Sequence, residues 1–302
     1  MEKIKKLVLK TAKWIGIVVL SILFLMFIIP LLFPGTISDQ VKKIANKNLA
    51  GKLEFRKTRL TFFRHFPSLT VSVDDLLLKG SKPFQGDTLL AAKEVAAGIN
   101  LKDLIFDGEV KIDEIYVTDA YANVFVNSKG QANYNVYVSS SSKKPKDTTK
   151  ESTSIQVDLI KFKNCHIRYN DHSAQILVDA KGFNYEGQGG LSKDIFDLKT
   201  DLNIDQLDFS LNRIYYARQK SLHADLVTRI NTDALTLVLK KNELKINDLP
   251  LKFNGFVSIL KDGYNLDIKA ASENTTIRDM ISVLPPQYLD WAKDTKLKGN
   301  SD

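Results

Sequence analysis

Phe196-Asp197-Leu198-Lys199-Thr200-Asp201-Leu202-Asn203-Ile204-Asp205 decides the fold. Apolar Phe196, Leu198, Leu202 and Ile204 are set against polar Asp197, Lys199, Asp201, Asn203 and Asp205. Strand side chains point alternately to opposite faces, so this period of two marks a strand with one wet and one dry face. The same period returns on both sides of the stretch. It is carried by Leu69, Val71 and Val73; by Ala122, Val124 and Val126; and by Leu222, Ala224, Leu226 and Ile230. It continues in Leu235, Leu237 and Leu239, and in Tyr264, Leu266 and Ile268 after the Asp262-Gly263 turn. Tyr134, Val136 and Val138 repeat it after the tight Lys129-Gly130-Gln131 turn. Short alternating strands separated by turn signals predict an antiparallel meander.

Helix is scarce. Ile37, Val41, Ile44, Ala45 and Leu49 recur at the helical period, and Gly51 sits just past the last of them. Such a helix either lies along a membrane surface or caps the first strands of the sheet, and capping is the favoured reading. Ile277, Ile281 and Leu284 mark a second short helix before Pro285-Pro286. Ser139 to Ser154 is polar and low in complexity and is expected to form a disordered loop. It divides the strands into two blocks. The expected organisation is a Lys-rich tip and anchor over 1–35, a helix and first sheet block over 36–138, the loop over 139–154, and a second sheet block over 155–302.

Residues Trp14 to Phe33 are uncharged and mostly apolar, and follow Lys3, Lys5, Lys6, Lys10 and Lys13. About 20 helical residues cross a hydrocarbon core. The run, with Trp14, Ile17, Leu20, Phe24, Phe27 and Phe33 in it, is read as a single transmembrane anchor. The lysines predict a cytoplasmic N-terminus, which places the rest of the chain on the far side of the membrane. A cleaved signal peptide is the rival, but its apolar region is shorter and ends in a small-residue site, which Pro34-Gly35-Thr36 is not.

The net charge is +8, but five lysines lie in the first 13 residues, so no nucleic-acid partner is expected. A single cysteine, Cys165, excludes an internal disulfide. The histidines His65, His166, His172 and His223 show no helical metal spacing, and Cys165 and His166, as strand neighbours, point apart. No nucleotide or hydrolase fingerprint occurs, and Gly187-Gln188-Gly189-Gly190 reads as an inter-strand loop. Neither enzyme activity, cofactor nor metal is expected. The acidic pairs Asp74-Asp75 and Asp113-Glu114 are expected at strand ends in water. Phe62-Phe63 and Phe66-Pro67 either touch the membrane surface or cover one end of the sheet.

An apolar sheet face must be covered by a second sheet, by closure into a barrel, by helices or by a ligand. Residue pattern alone leaves these open. The ordered set Leu53-Glu54-Phe55, Leu60 through Val71, Asp87 through Ala91, Ile99 through Leu104, Gly108 through Ile112, Ile115 through Ala120 and Gly130-Gln131-Ala132-Asn133-Tyr134 resembles the N-terminal part of the AsmA family. The resemblance covers residues 1–138 best. It implies a mostly β protein: a long curved antiparallel β-sheet forming an open apolar groove, preceded by one transmembrane helix and a short amphipathic helix. It further implies a Gram-negative inner-membrane protein, its bulk in the periplasm, whose partners are phospholipid acyl chains moving between inner and outer membranes. The expected groove lining is Leu69, Val71, Val73, Val124, Val126, Leu198, Leu202, Ile204, Leu226, Leu237 and Leu266. Family members of this type are usually longer, and Lys296 to Asp302 reads like the opening of another strand. A non-enzymatic envelope scaffold or assembly factor with a packed β core is the alternative.

Overall fold

The computed structural model describes residues 14, 17, 21, 49, 51–65, 68–100, 102–107, 111–136, 154–191, 193–260, 262–289 and 300–301. The alternating segments form β1 (Leu53–Glu54), β2 (Lys57–His65), β3 (Ser68–Lys79), β4 (Thr88–Ile99), β5 (Lys111–Val126) and β6 (Ser154–Asp171). They continue as β7 (Ile176–Gln188), β8 (Ile195–Leu211), β9 (Ile214–Asn231), β10 (Thr236–Ile246), β11 (Leu249–Leu260) and β12 (Gly263–Ala271). These make one curved, open, 12-stranded sheet in which β3 to β12 lie in chain order. β1 and β2 share the outer edge of β3, as one strand interrupted at Phe55-Arg56.

The meander holds with one correction. β5 and β6 pair in parallel, Lys111 opposite Ser154 and Val126 opposite Asp171. Parallel neighbours need a crossover, and the link between these two strands includes residues 137–153, which lie outside the described residues. A second correction concerns the strand expected after Gly130. Among residues 131–136 only an isolated bridge forms, Ala132 to Val126. Backbone pairing gives way there to a side chain. Asn133 is fully buried; its Oδ1 accepts the Phe125 N–H at 2.9 Å and its Nδ2 donates to the Asn123 carbonyl at 2.7 Å.

Several strands carry a residue in the left-handed region: Asp75 (φ 53°) in β3, Asp119 (φ 49°) in β5, Asn164 (φ 50°) in β6 and Gly182 (φ 62°) in β7. Asn and Asp tolerate this conformation because their short side chains bond locally. Here they bond one another across strands. Asn164 Nδ2 donates to Asp119 Oδ1 at 2.7 Å, and Asn184 Oδ1 accepts the Asn164 N–H at 2.9 Å. Each such bulge bends its strand and adds twist. Together they form a crease across the sheet, and alternation shifts phase there: Val117 and Ala120, three residues apart, enter one buried cluster.

The second expected helix forms as α1 (Ile277–Ser282), followed by a 3-10 turn at Pro286–Tyr288. Thr276 and Asp279 make a reciprocal capping box at its start. β13 (Thr275–Thr276) pairs with β14 (Asn300–Ser301) in a separate two-stranded sheet. No helix among the described residues is long and apolar enough to cross a membrane. Of the expected anchor positions, Trp14 and Ile17 are helical and exposed; Leu20, Phe24, Phe27 and Phe33, and the expected helix over 37–48, lie outside the described residues.

Candidate functional site

Partners in the ladder share a face, so the register shows what each face carries. One line of direct partners crosses nine strands: Val73, Val95, Val117, Phe162, Tyr185, Leu202, Ala224, Leu244 and Leu251. The next line on the same face is Val71, Ala97, Ile115, Ile160, Gly187, Thr200, Leu226, Asn242 and Phe253. Both are almost wholly apolar. All eleven expected lining residues fall on this face. Leu69, Val126 and Ile204 are buried, whereas Leu266 on β12 is 62 % exposed. The face is therefore graded, with buried positions from β3 to β11, among them Ala224 at 2 % and Asn242 at 2 % exposed, and an open part at β12.

The middle of the face is aromatic. Phe162 meets Phe183 and Tyr185 edge-on at 5.9 and 6.0 Å, and Phe183 stacks on Tyr185 at 6.2 Å. Such pairs add to the burial of their own surface. Beside them Cys165 is buried with Ala92, Val117 and Ala120, and burial pushes its thiol pKa up. His166, its neighbour, lies on the opposite face and meets Asp179 at 2.7 Å. Cys165 and His166 are thus kept apart by the pleat.

One end of the face is capped. Lys220, only 6 % exposed, donates to the Ser282 carbonyl at the end of α1. Asn247 Nδ2 donates to the same oxygen at 2.8 Å. Desolvation holds the Lys220 ammonium below its ordinary pKa. A cation at a helix C-terminus also meets the negative end of the helix dipole.

The opposite face is charged. Its central line reads Arg59, Ser72, Ala96, Tyr116, Lys161, Glu186, Asp201, Asp225, Glu243 and Lys252. Four consecutive acids repel one another across strands; Lys161 meets the first, Glu186, at 2.6 Å. Asp197 lies beside Lys240 and Arg229, at 2.7 and 3.0 Å, and their hydrogen bonds, that of Lys240 first, hold its carboxyl below the usual range.

Of the acidic pairs, only Asp75 is exposed in water, and the residues lie within strands and not at the strand ends that their sequence position predicts. Asp74 lies within β3, 4 % exposed, and accepts from Arg59 Nη2 at 2.6 Å. Asp113 and Glu114 lie within β5. Burial, then the neighbouring Glu114 charge, pushes the Asp113 pKa up to about 6, and its Oδ1 is buried without a hydrogen-bond partner. Asn133 stands in the Gly130–Tyr134 motif of the resemblance, but its burial, like Lys220 and the crease, has no counterpart in the expected site residues. The signal for the crease was present: Asp75, Asp119, Asn164 and Gly182 each interrupt an alternating run with a residue suited to positive φ.

No curated protein matches the sequence. The family model described as "AsmA family" matches residues 1–193. That range holds β1 to β7, the crease, the aromatic cluster and the buried Asn133. It runs 55 residues past residue 138, the end of the part in which the resemblance is clearest. β8 to β12 lie beyond the match and continue the same two faces. The chain belongs to the AsmA family.

Proposed function

We propose that this chain is an inner-membrane-anchored, periplasmic protein that holds phospholipid acyl chains on the apolar face of its sheet. In this reading it serves phospholipid transport between the two membranes and upkeep of the outer one. The observation that carries the reading is the line of partners from Val73 to Leu251, apolar on nine strands with no second sheet packed on it among the described residues. Each methylene taken out of water there contributes about 0.8 kcal/mol, without directional preference. A bound chain is thereby held yet free to slide. Family membership and the apolar segment Trp14 to Phe33 support the same location and role. The test is mass spectrometry of the intact protein released gently from membranes. Phospholipid that stays bound through purification is the expected result; a protein free of lipid ends the reading.

A specific observation favours a second reading for part of the chain. Near β3–β6 the face is already buried: Val117 is 9 %, Ala92 4 % and Cys165 2 % exposed. That part acts as a packed core, as an envelope scaffold would need. The two readings separate at β12, where every residue is exposed and the face is open.

A further inference from the structure

Strand direction places five strand-to-strand links on one long edge of the sheet: those from β2 to β3, β4 to β5, β7 to β8, β9 to β10 and β11 to β12. In the β8–β12 region large apolar side chains collect at this edge and stay in water. Ile195 is 55 % exposed, Leu235 51 %, Ile259 43 %, Leu260 58 %, Tyr264 72 % and Leu266 62 %. Ile259, Tyr264 and Leu266 share the apolar face, Leu235 lies in the turn beside Ile259, and Ile195 and Leu260 are one residue out of phase with that face at the same edge. The Ile259 N–H donates to the Leu235 carbonyl at 2.9 Å. Ile259 pairs with Tyr264, and Ile195 with Asn231 on the strand before Leu235. The opposite edge carries the turns Gly80–Asp87, Asn127–Gly130, Ser173–Gln175, Asn212-Arg213 and Asn247-Asp248; large apolar groups are exposed there at Tyr134, at the hairpin of Ile214 and Tyr216 and, on and after α1, at Met280 and Tyr288. At β9–β11 that opposite edge is also where α1 is tied down by Lys220 and Asn247.

We propose that the edge formed by Ile195, Leu235, Ile259, Leu260, Tyr264 and Leu266 contacts a phospholipid bilayer and is the place where acyl chains pass onto the apolar face. The proposal rests on the lipid-holding reading above. Three observations select a bilayer over a protein. The patch runs straight into the face: Leu266 pairs with Val257, Val257 with Leu237, Leu237 with Ile230 and Ile230 with Phe196. A chain entering at the edge would therefore meet no polar line. The patch draws on β8, the β9–β10 turn, β11 and β12, a span of about 20 Å at the usual strand spacing. An added strand on the β12 edge would cover Tyr264 and Leu266 but leave Leu235 and Ile195 wet, whereas a fluid surface adapts to all of them. Tyr264, the most exposed member, is also the residue type that settles at membrane–water interfaces.

The test uses the full chain in vesicles of phosphatidylethanolamine and phosphatidylglycerol. A polarity-sensitive fluorophore is placed on Leu260→Cys and, separately, on Arg213→Cys at the opposite edge. Buried Cys165 does not compete for the label. The expected result is blue-shifted emission at 260, quenched several-fold more strongly than at 213 by phospholipid carrying a nitroxide on its acyl chain. Tyr264→Cys repeats the measurement at a second exposed position. Equal quenching at both edges overturns the proposal. So does a blue shift at 260 without lipid quenching, which means that protein covers the patch. Bound phospholipid with a wet label at 260 and 264 overturns the contact and leaves the lipid-holding reading standing. A protein that never carries phospholipid overturns both.

Discussion

Asn133 shows how much one side chain can carry. Its side chain adds two bonds, to the Phe125 N–H and the Asn123 carbonyl, to the few backbone bonds that hold this segment against β5. Asn133→Ala orphans both buried groups, and we expect a loss of roughly 2–4 kcal/mol by urea denaturation. Asp113 yields a pH prediction. Its folded pKa, about 6, lies above its ordinary 3.8, so the folded chain binds the extra proton more tightly than the unfolded one. Stability from this group is present below about pH 4 and is lost as pH rises through 6, by roughly 1–3 kcal/mol. Asp113→Asn should remove that slope and raise stability at pH 7.5; an unchanged pH profile would count against the assignment. Leu202 separates an open face from a packed one. Leu202→Glu should cost about 1 kcal/mol and abolish bound lipid if the glutamate stays hydrated, or several kcal/mol if the face is packed. Thermal melts and lipid analysis of one variant decide this. The alternation of Leu202 with its neighbours was legible in the sequence. The state of Asp113 was not, because it depends on Glu114, Asp158 and Ser68 being folded around it.

At the scale of the element, strands were legible wherever one side chain in two is apolar. The exceptions have physical causes. Leu235 fits the alternating pattern, yet with φ 47° it belongs to the turn before β10. Periodicity cannot tell parallel from antiparallel neighbours, so the β5–β6 pairing stayed hidden. The crease left only a faint signal, one Asp, Asn or Gly in each strand, because a single left-handed residue shifts the phase with little change in composition. Glycine takes over where no side chain fits. Gly255 adopts φ 142° against the backbone of Asp267 on β12. Gly255→Ala should therefore part β12 from β11 while β3 to β9 hold. Hydrogen exchange should show protection lost at Tyr264 to Ala271 and retained at Val95 and Val117. Uniform loss along the sheet would contradict this.

For the molecule as a whole, strand packing follows the ladder, each strand against its neighbours. The two sequence blocks are therefore one sheet, joined by the pairing from Lys111–Ser154 to Val126–Asp171. Protease should cut first within the polar stretch from Ser139 to Ser154, as its composition predicts. The two fragments should still co-elute by size exclusion without denaturant; separation would mean that the β5–β6 ladder is too weak to hold them. What the sequence could not reveal at this scale is the direction of grading. Which part of the apolar face is covered depends on partners far apart along the chain, such as Cys165 with Val117.

The ladder has a consequence for how such a chain changes over generations. Because a strand answers only to the two beside it, a hairpin can be duplicated or lost without refitting distant parts. Each such event alters the reach of the sheet by about 10 Å and leaves both faces in phase, provided that whole hairpins are exchanged. Length is then a heritable quantity set in steps, and relatives of different reach can descend from one another by copying pairs of strands.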